Sequence, residues 1–547
     1  MIRQHVLQEQ LFYGADELYR PAARNFYARL NEAVGDWAKL AAPFEPAFCA
    51  DRGRPTDPGV YLKILLVGYV ENITYDTDLA ERVEDSTAIR RFVGYNLAEQ
   101  TPDHSSISRK RAEIGCVCDI DEVLTRVVSV CTEAGLVEGD LTATDSALVA
   151  ANASLSSLRS VRTHKSVREH LKAVREANAA PDPEHAEPAP AQANGAPARD
   201  EPQGPTESEA CRLTPADESP PPTRKERAAK LEVSNAEFRS TTDPDARIAK
   251  KPGTPRGMYY KATHVTDSAH GIIVAAGCAR ADVADTEAAL PILAQAKANL
   301  AAGGKELGKN VADAGYDDAD FHAEVEDLGA TPITNHTADT TTKPDGYKKA
   351  DFDWVAEANC YICPAGALVR YVGEQEDRLR YVSDARECAR CCGRALCIGG
   401  KGRVRSIYRH RHEQARERNI ARCHSDEGRE ALRARKTIVE APFGHAKTYG
   451  GLGRINCRGL PKAHVKVVLA AVAWNLIKLV GARDKAQQAE PAWARQAQQA
   501  QAALCALIGL LLTFWGLIWA RLTGFGRALG AVIAHHPLCR PLRVPLG

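Results

Sequence analysis

Three carboxylates stand out by their setting. Asp145 lies in Leu141-Thr142-Ala143-Thr144-Asp145-Ser146-Ala147-Leu148-Val149, a run of small and β-branched residues that reads as a strand. Asp313 closes a second short strand, Asn310-Val311-Ala312, just before a Gly-Tyr-Asp turn. Glu440 sits in Thr437-Ile438-Val439-Glu440-Ala441-Pro442-Phe443-Gly444-His445-Ala446-Lys447, a segment with helical character. Any one of them alone reads as a turn former or a structural ion-pair partner. Together, on strand ends and a helix, they are hard oxygen donors of the kind that hold Mg²⁺ or Mn²⁺.

Two further groups could do chemistry. Six of the 16 cysteines fall between Cys360 and Cys397. Cys360-x2-Cys363 and Cys388-x2-Cys391 have the form of a zinc ribbon with a long spacer, and the other reading is reduced thiols without metal. Between Lys401 and Lys436 the chain carries twelve Lys and Arg against five Asp and Glu, Arg409 and Arg411 among them. A local excess of seven positive charges suits phosphate. A solvated face is the competing reading. Lys436 is four residues before Glu440 and Lys447 seven after it, so on a continuous helix all three share one stripe, although Pro442 predicts a break just past Glu440.

The elements that must position these residues follow from pattern. Residues 1–130 read as helical. Asp57-Pro58 caps and starts a buried helix over Val60–Val67, a second covers Thr77–Val83, and a third follows Thr101-Pro102-Asp103-His104-Ser105, with Ile107 and Ile114 on one face. That succession permits a helix-turn-helix, and equally a plain bundle. After the Asp145 strand, residues 176–225 are rich in proline, alanine, glutamate and serine and are expected to be a disordered insertion. Met258–Thr266 and Gly271–Cys278 form a hairpin, followed by a helix from Asp285 to Leu300 that Pro291 bends or delays. The Asp313 strand, a helix through Phe321, Val325 and Leu328, and the strand Thr331–Thr334 complete a mixed sheet with helices against it. Val465, Val468, Leu469, Val472, Leu476 and Leu479 mark a late amphipathic helix, and Ala502–Ala520 is an uncharged run long enough to span a bilayer.

At this point the sequence resembles bacterial insertion-sequence transposases of the DDE superfamily, and is most similar to the group known as insertion sequence eleven-eighty-two. The resemblance rests on Thr144-Asp145-Ser146 with Ala151-Asn152-Ala153-Ser154, Ala312-Asp313-Ala314-Gly315-Tyr316, and Val439-Glu440-Ala441-Pro442-Phe443-Gly444-His445-Ala446-Lys447. Arg458-Gly459-Leu460 and Trp474-Asn475-Leu476 follow, and Gly53-Arg54-Pro55 and Asp103-His104-Ser105-Ser106-Ile107-Ser108 match its N-terminal helical region. It spans residues 10 to 480 apart from the proline-rich insertion.

What the resemblance implies is an α/β fold: an RNase H-like mixed-sheet catalytic core with an all-α N-terminal domain and a Cys-containing insertion. The expected divisions are 1–130 for a DNA-binding helical domain, 135–335 and 406–482 for the two parts of the core, 336–405 for the Cys-rich insertion, and 483–547 for the tail. Asp145, Asp313 and Glu440 would hold two Mg²⁺ or Mn²⁺ ions roughly 3.5–4 Å apart, one at the attacking and one at the leaving oxygen of a phosphoryl transfer. The family's recurring cysteines match Cys363, Cys388, Cys391 and Cys397, a set that would hold a structural Zn²⁺. Lys436, Lys447, Arg409, Arg411, Arg454 and Arg458 are assigned to DNA.

The implied activity is cleavage at terminal inverted repeats and strand transfer into target DNA, by a homo-oligomer on double-stranded DNA in the cytoplasm, on the nucleoid. The alternative is a catalytically inactive DNA-binding protein derived from a transposase. Composition fits either: 547 residues suggest several domains, and a net charge of +1 excludes a uniformly basic, histone-like chain. The N-terminus lacks the apolar core of a secretory signal, so thiols are expected reduced. A membrane role for the apolar run conflicts with DNA processing and is not expected.

Overall fold

A computed structural model describes residues 25–48, 57–160, 234–336, 346–398 and 402–489, with Gly509, Leu512, Thr513 and Trp515 beyond them. The Gly53-Arg54-Pro55 motif, the 176–225 insertion and nearly all of Ala502–Ala520 lie outside the described residues.

The chain begins with helices α1 (Phe26–Val34), α2 (Trp37–Ala41), α3 (Pro58–Val70), α4 (Asp76–Asp85), α5 (Thr87–Val93), α6 (His104–Val117) and α7 (Ile120–Glu133). Asp57 caps α3 by accepting the Gly59 amide, Pro58 takes the first helical position, and Leu62, Ile64, Leu65 and Val67 are wholly buried. Asp103 caps α6 through the Ser106 amide at 2.7 Å. Only Ile107 and Ile114 of α6 are buried, so most of its polar face meets solvent. Buried Arg90 of α5 donates to the carbonyls of Glu84 and Asn96, tying the chain between α5 and α6 to the helices before it.

Strand β1 (Leu141–Ala150) opens the central sheet. A short ribbon follows, β2 (Leu158–Ser160) with β3 (Phe238–Ser240), then β4 (Arg247–Lys251), β5 (Thr254–Asp267) and β6 (Ile273–Arg280). Helix α8 (Asp285–Ala302), β7 (Lys309–Ala312), α9 (Ala319–Asp327) and β8 (Thr331–Thr334) complete the set. The strand order is β4-β5-β1-β7-β8, with β6 also on β5. β5 runs antiparallel to β1, β4 and β6, whereas β1, β7 and β8 are mutually parallel. The parallel half needs cover on both faces: the crossover helices pack on one, and a later helix carrying Ala431 and Val439 covers Ala143, Val311 and Ile333 on the other. Pro291 does not delay α8: the helix starts at Asp285 and runs through the proline.

Between β8 and the next core helix the chain builds a separate antiparallel sheet. Its strands are β9 (Asp353–Val355), β10 (Cys360–Ile362), β11 (Leu368–Gln375), β12 (Arg378–Ser383) and β13 (Ser406–His410), in that spatial order, with short α10 (Ala385–Arg390) and α11 (Arg394–Cys397) after β12. Phe352, Tyr361, Val369, Tyr381 and Ile407 give it a small core of its own.

The chain then returns through α12 (Glu413–His424) and α13 (Asp426–Thr448) and ends its described core in α14 (Leu460–Ala489). Leu460–Ala486 of α14 is long and apolar enough to cross a membrane, but 78% of its most apolar window is buried inside the protein. It is the core helix of this fold, apolar nearly all round rather than amphipathic. Asn475 bonds both the amide and the carbonyl of Ile273, each at 2.8 Å, so the exposed side of β6 is satisfied from the helix.

Candidate active site

The parallel pairing of β1 with β7 sets the geometry. Leu141, Thr142 and Ala143 pair with Lys309, Asn310 and Val311. Two residues further along each chain stand Asp145 and Asp313, in equivalent positions and on the face that carries Ala143 and Val311. Neighbouring strands are about 4.7–4.9 Å apart, so the two carboxylates leave adjacent backbone positions on one side of the sheet. β7 stops at Ala312, and Asp313 accepts the Gly315 amide at 2.9 Å to start a tight turn. On the opposite face Tyr316 is buried and its hydroxyl meets Ser146 Oγ at 2.8 Å, which in turn meets Thr263 Oγ1 at 2.8 Å. That chain of hydroxyls pins the turn behind Asp313 to the strand that carries Asp145.

Burial pushes the Asp145 carboxyl above its usual range; the Ser146 amide pulls it back, Asp313 pushes it up further, and Arg435 and Lys251 pull it down. Two like charges share the site, and two cations from other elements answer them. The sequence pattern gives no sign of Lys251 and shows Arg435 only as one charge of the basic run from Lys401 to Lys436. Lys251 is at the end of β4 and Arg435 on α13, and neither has a motif around it; their signal is spatial.

Helix α13 lies over the same face. Ala431 and Val439 join Ala143, Val311 and Ile333 in one buried cluster. Phe443 stacks on His264 with ring centroids 4.2 Å apart and planes 3° from parallel. His264 is the residue opposite Asp145 on β5, so Phe443 lands beside the first carboxylate. Glu440 is one turn before Phe443. Its side chain is 63% exposed and lies 3.8 Å from Lys436 Nζ. Pro442 does not break the helix, which continues to Thr448, because a buried proline side chain fits the face that packs on the sheet.

Asp145 and Asp313 therefore come together, with Arg435 and Lys251 around them. Glu440 arrives on the covering helix with its carboxylate at the surface beside Lys436. Among the described residues no three His, Cys, Asp or Glu side chains stand as a ready metal cage. The Asp145–Asp313 pair nonetheless fits a hard divalent cation: two anionic oxygen donors that, among the described residues, have no cation in hydrogen-bond contact and accept only from neighbouring backbone amides.

The basic run divides by structure. Arg409 is 4% exposed, donates twice to Glu417 at 2.6 and 2.9 Å, and stacks over Trp354. It joins the insertion to α12 and is not presented to a phosphate, which corrects its assignment to DNA. Arg411 pairs with Glu374 and Asp377, Arg416 with Asp317, and Arg422 with Glu326, so much of the excess is balanced inside the fold. Lys447, Arg454 and Arg458 are exposed, the last two on the loop after α13.

In the insertion, Cys363 Sγ accepts the Ala367 amide at 3.3 Å across the Cys-Pro-Ala-Gly turn. The Cys397 thiol is raised by burial, lowered by Arg405, and raised again by Cys388, Cys363 and Cys391, which places those three within electrostatic reach of Cys397 although among the described residues no three cysteines stand as a ready metal cage. Cys360 is 5% exposed on β10 and Cys392 lies at the surface.

Comparison with known families finds two matches. Residues 17–113 match the model described as a transposase domain (DUF772), and residues 362–480 match the one described as a transposase DDE domain. The second stretch contains Glu440, while Asp145 and Asp313 lie between the two. No curated protein and no solved structure matches the chain.

Proposed function

We propose, for a chain whose two transposase domains indicate a DNA transposase, that it cleaves DNA at the terminal inverted repeats of its own element and transfers the freed ends into target DNA. The observation that carries this reading is that Asp145 on β1 and Asp313 just past the end of β7 each stand two residues beyond the paired Ala143 and Val311 of these parallel neighbours. The six-stranded sheet, in which β5 runs antiparallel to β1, β4 and β6 and the later β7 and β8 lie parallel to β1 with helices between, supports an RNase H-like core. The motifs around all three acidic residues support the insertion sequence eleven-eighty-two group.

In this reading Asp145 and Asp313, together with Glu440 of α13, would hold two Mg²⁺ or Mn²⁺ ions. Those ions, when bound, would lower the pKa of an attacking water and neutralise the leaving oxygen. The protein's own residues do the rest. β1 and β7 fix the carboxylates without freedom to separate, and the Phe443–His264 stack fixes α13 over them. Arg435 supplies positive charge beside Asp145, and Lys436, Lys447, Arg454 and Arg458 offer exposed cations to the DNA backbone. Cys363, Cys388, Cys391 and Cys397 would hold a structural Zn²⁺ in the insertion, whose small core would gain stability from such a site. The chain works as a homo-oligomer on nucleoid DNA in the cytoplasm.

The test is cleavage of a duplex carrying the element's own ends in Mg²⁺, wild type against Asp145→Ala. Strand cleavage by the wild type that is lost in the variant supports the reading. Cleavage that survives Asp145→Ala removes the site, and a wild type that binds but never cuts makes the chain an inactive DNA-binding derivative.

A further inference from the structure

A second charged cluster stands against the two aspartates. Asp285, the first residue of α8, lies between two lysines. Lys261 is 5% exposed and places Nζ 2.5 Å from Asp285 Oδ1, and also donates to the Val283 carbonyl. Lys251 is 45% exposed and places Nζ 3.2 Å from Oδ2. A Cβ built on Gly315 would sit 3.0 Å from Asp313 Oδ1 and 3.9 Å from Asp285 Oδ2, so only the bare Gly315 backbone separates this cluster from the Asp313 carboxylate.

Counted apart from the Asp145–Asp313 pair that it faces, one acid between two lysines leaves one positive charge in surplus. Lys261 is buried and anchored by two acceptors, so the surplus resides on Lys251, which has spare N–H donors and a solvent-facing position. The backbone that carries it is held by the tight connection at Pro252-Gly253, where Gly253 takes a φ of +77° that a side chain would disfavour. The neighbouring Lys250 is exposed as well. Arg435 approaches Asp145 from α13, and Lys251 approaches it from the β4–β5 turn. A DNA strand entering the acidic pair thus meets a cation on each of two elements.

We propose that Lys251 binds a phosphate of the DNA strand that enters the Asp145–Asp313 site, and that Asp285 is the positioning residue that holds Lys251 there. The inference rests on the reading of the chain as a DNA-processing enzyme. It adds a backbone contact far in sequence from the residues after Glu440, and a role for a carboxylate that binds no metal.

The test uses the full-length chain, a random-sequence DNA duplex and no divalent metal, with affinity measured across a salt series. Each phosphate contact contributes about 0.9 to the slope of log affinity against log salt. Lys251→Ala is expected to reduce the slope by about that amount, and Lys251→Arg to keep it. Asp285→Asn is expected to weaken binding in the wild type and to have no further effect in a Lys251→Ala background, which a purely structural role would not produce. An unchanged slope in Lys251→Ala overturns the proposal, as does an equal Asp285→Asn effect in both backgrounds. Should Asp285→Asn fail to fold because Lys261 loses its partner, Lys251→Ala, which removes only an exposed side chain, decides alone. If the wild type does not bind the duplex, the transposase reading falls with the inference; if it binds and Lys251→Ala behaves identically, the inference falls alone.

Discussion

His264 should make the protein acid-sensitive, and replacing it should remove part of that sensitivity. The imidazole is 1% exposed, lies flat on Phe443, and neither ring nitrogen has a hydrogen-bond partner. Burial alone holds its pKa down, from 6.5 to about 3. The sign follows from linkage: above about pH 6.5 the ring is neutral in both folded and unfolded chains, and nothing is lost. As pH falls below that, the unfolded chain takes up a proton that the folded one refuses, so stability drops until pH reaches the folded value. At 1.36 kcal/mol per pH unit, the loss between pH 6.5 and pH 5 is about 2 kcal/mol. His264→Phe keeps an aromatic ring against Phe443 and cannot titrate. Urea unfolding of both proteins at pH 7.5 and pH 5 should show the variant gaining about 2 kcal/mol on the wild type at the lower pH. His322, whose pKa burial also lowers, is present in both and cancels. An identical pH dependence in the two proteins would show that the stack does not exclude water and that α13 is not seated beside Asp145 as described.

Two further outcomes follow from the division of the basic run and from the cysteines. Arg409→Ala should cost about 1.5–3 kcal/mol in a denaturant melt, because Glu417 and Tyr361 lose a charged donor, with the salt slope of DNA binding unchanged. Arg454→Ala should do the opposite: stability within about 0.5 kcal/mol of wild type and a salt slope smaller by about 0.9. The purified chain should carry one zinc by elemental analysis, lost in Cys391→Ser and retained in Cys392→Ser; equal zinc in both variants would exclude the proposed ligand set.

Sequence pattern carried the local elements well and the distant relations poorly. The Asp57-Pro58 start, the Asp103 cap and the Thr331–Thr334 strand were legible because each depends on residues within one turn or one strand. Asp145 and Asp313 were legible through their motifs, yet their neighbourhood depends on pairing between segments more than 160 positions apart, which no local rule shows. Lys251, Asp285 and Arg435 are brought to that pair by β4, α8 and α13; locally Asp285 reads only as a helix start, Arg435 only as one charge of the basic run, and Lys251 as nothing. Pro442 misled because packing of its buried side chain outweighs one lost helical hydrogen bond. Counting charges from Lys401 to Lys436 treated Arg409 like its neighbours, whereas β13 turns its side chain inward between Trp354 and Glu417. The apolar pattern of α14 was seen only in part, because a helix enclosed by β6, α7 and α3 has no polar face to give it a period.

The most direct test of the central claim is metal specificity at Asp313. Mn²⁺ accepts a sulfur ligand more readily than Mg²⁺ does. End cleavage by Asp313→Cys should be abolished in Mg²⁺ and recovered in Mn²⁺, while the wild type cuts in both. Cleavage by Asp313→Cys at the wild-type rate in Mg²⁺ would mean that this carboxylate touches no catalytic ion, and the paired-aspartate site would have to be abandoned.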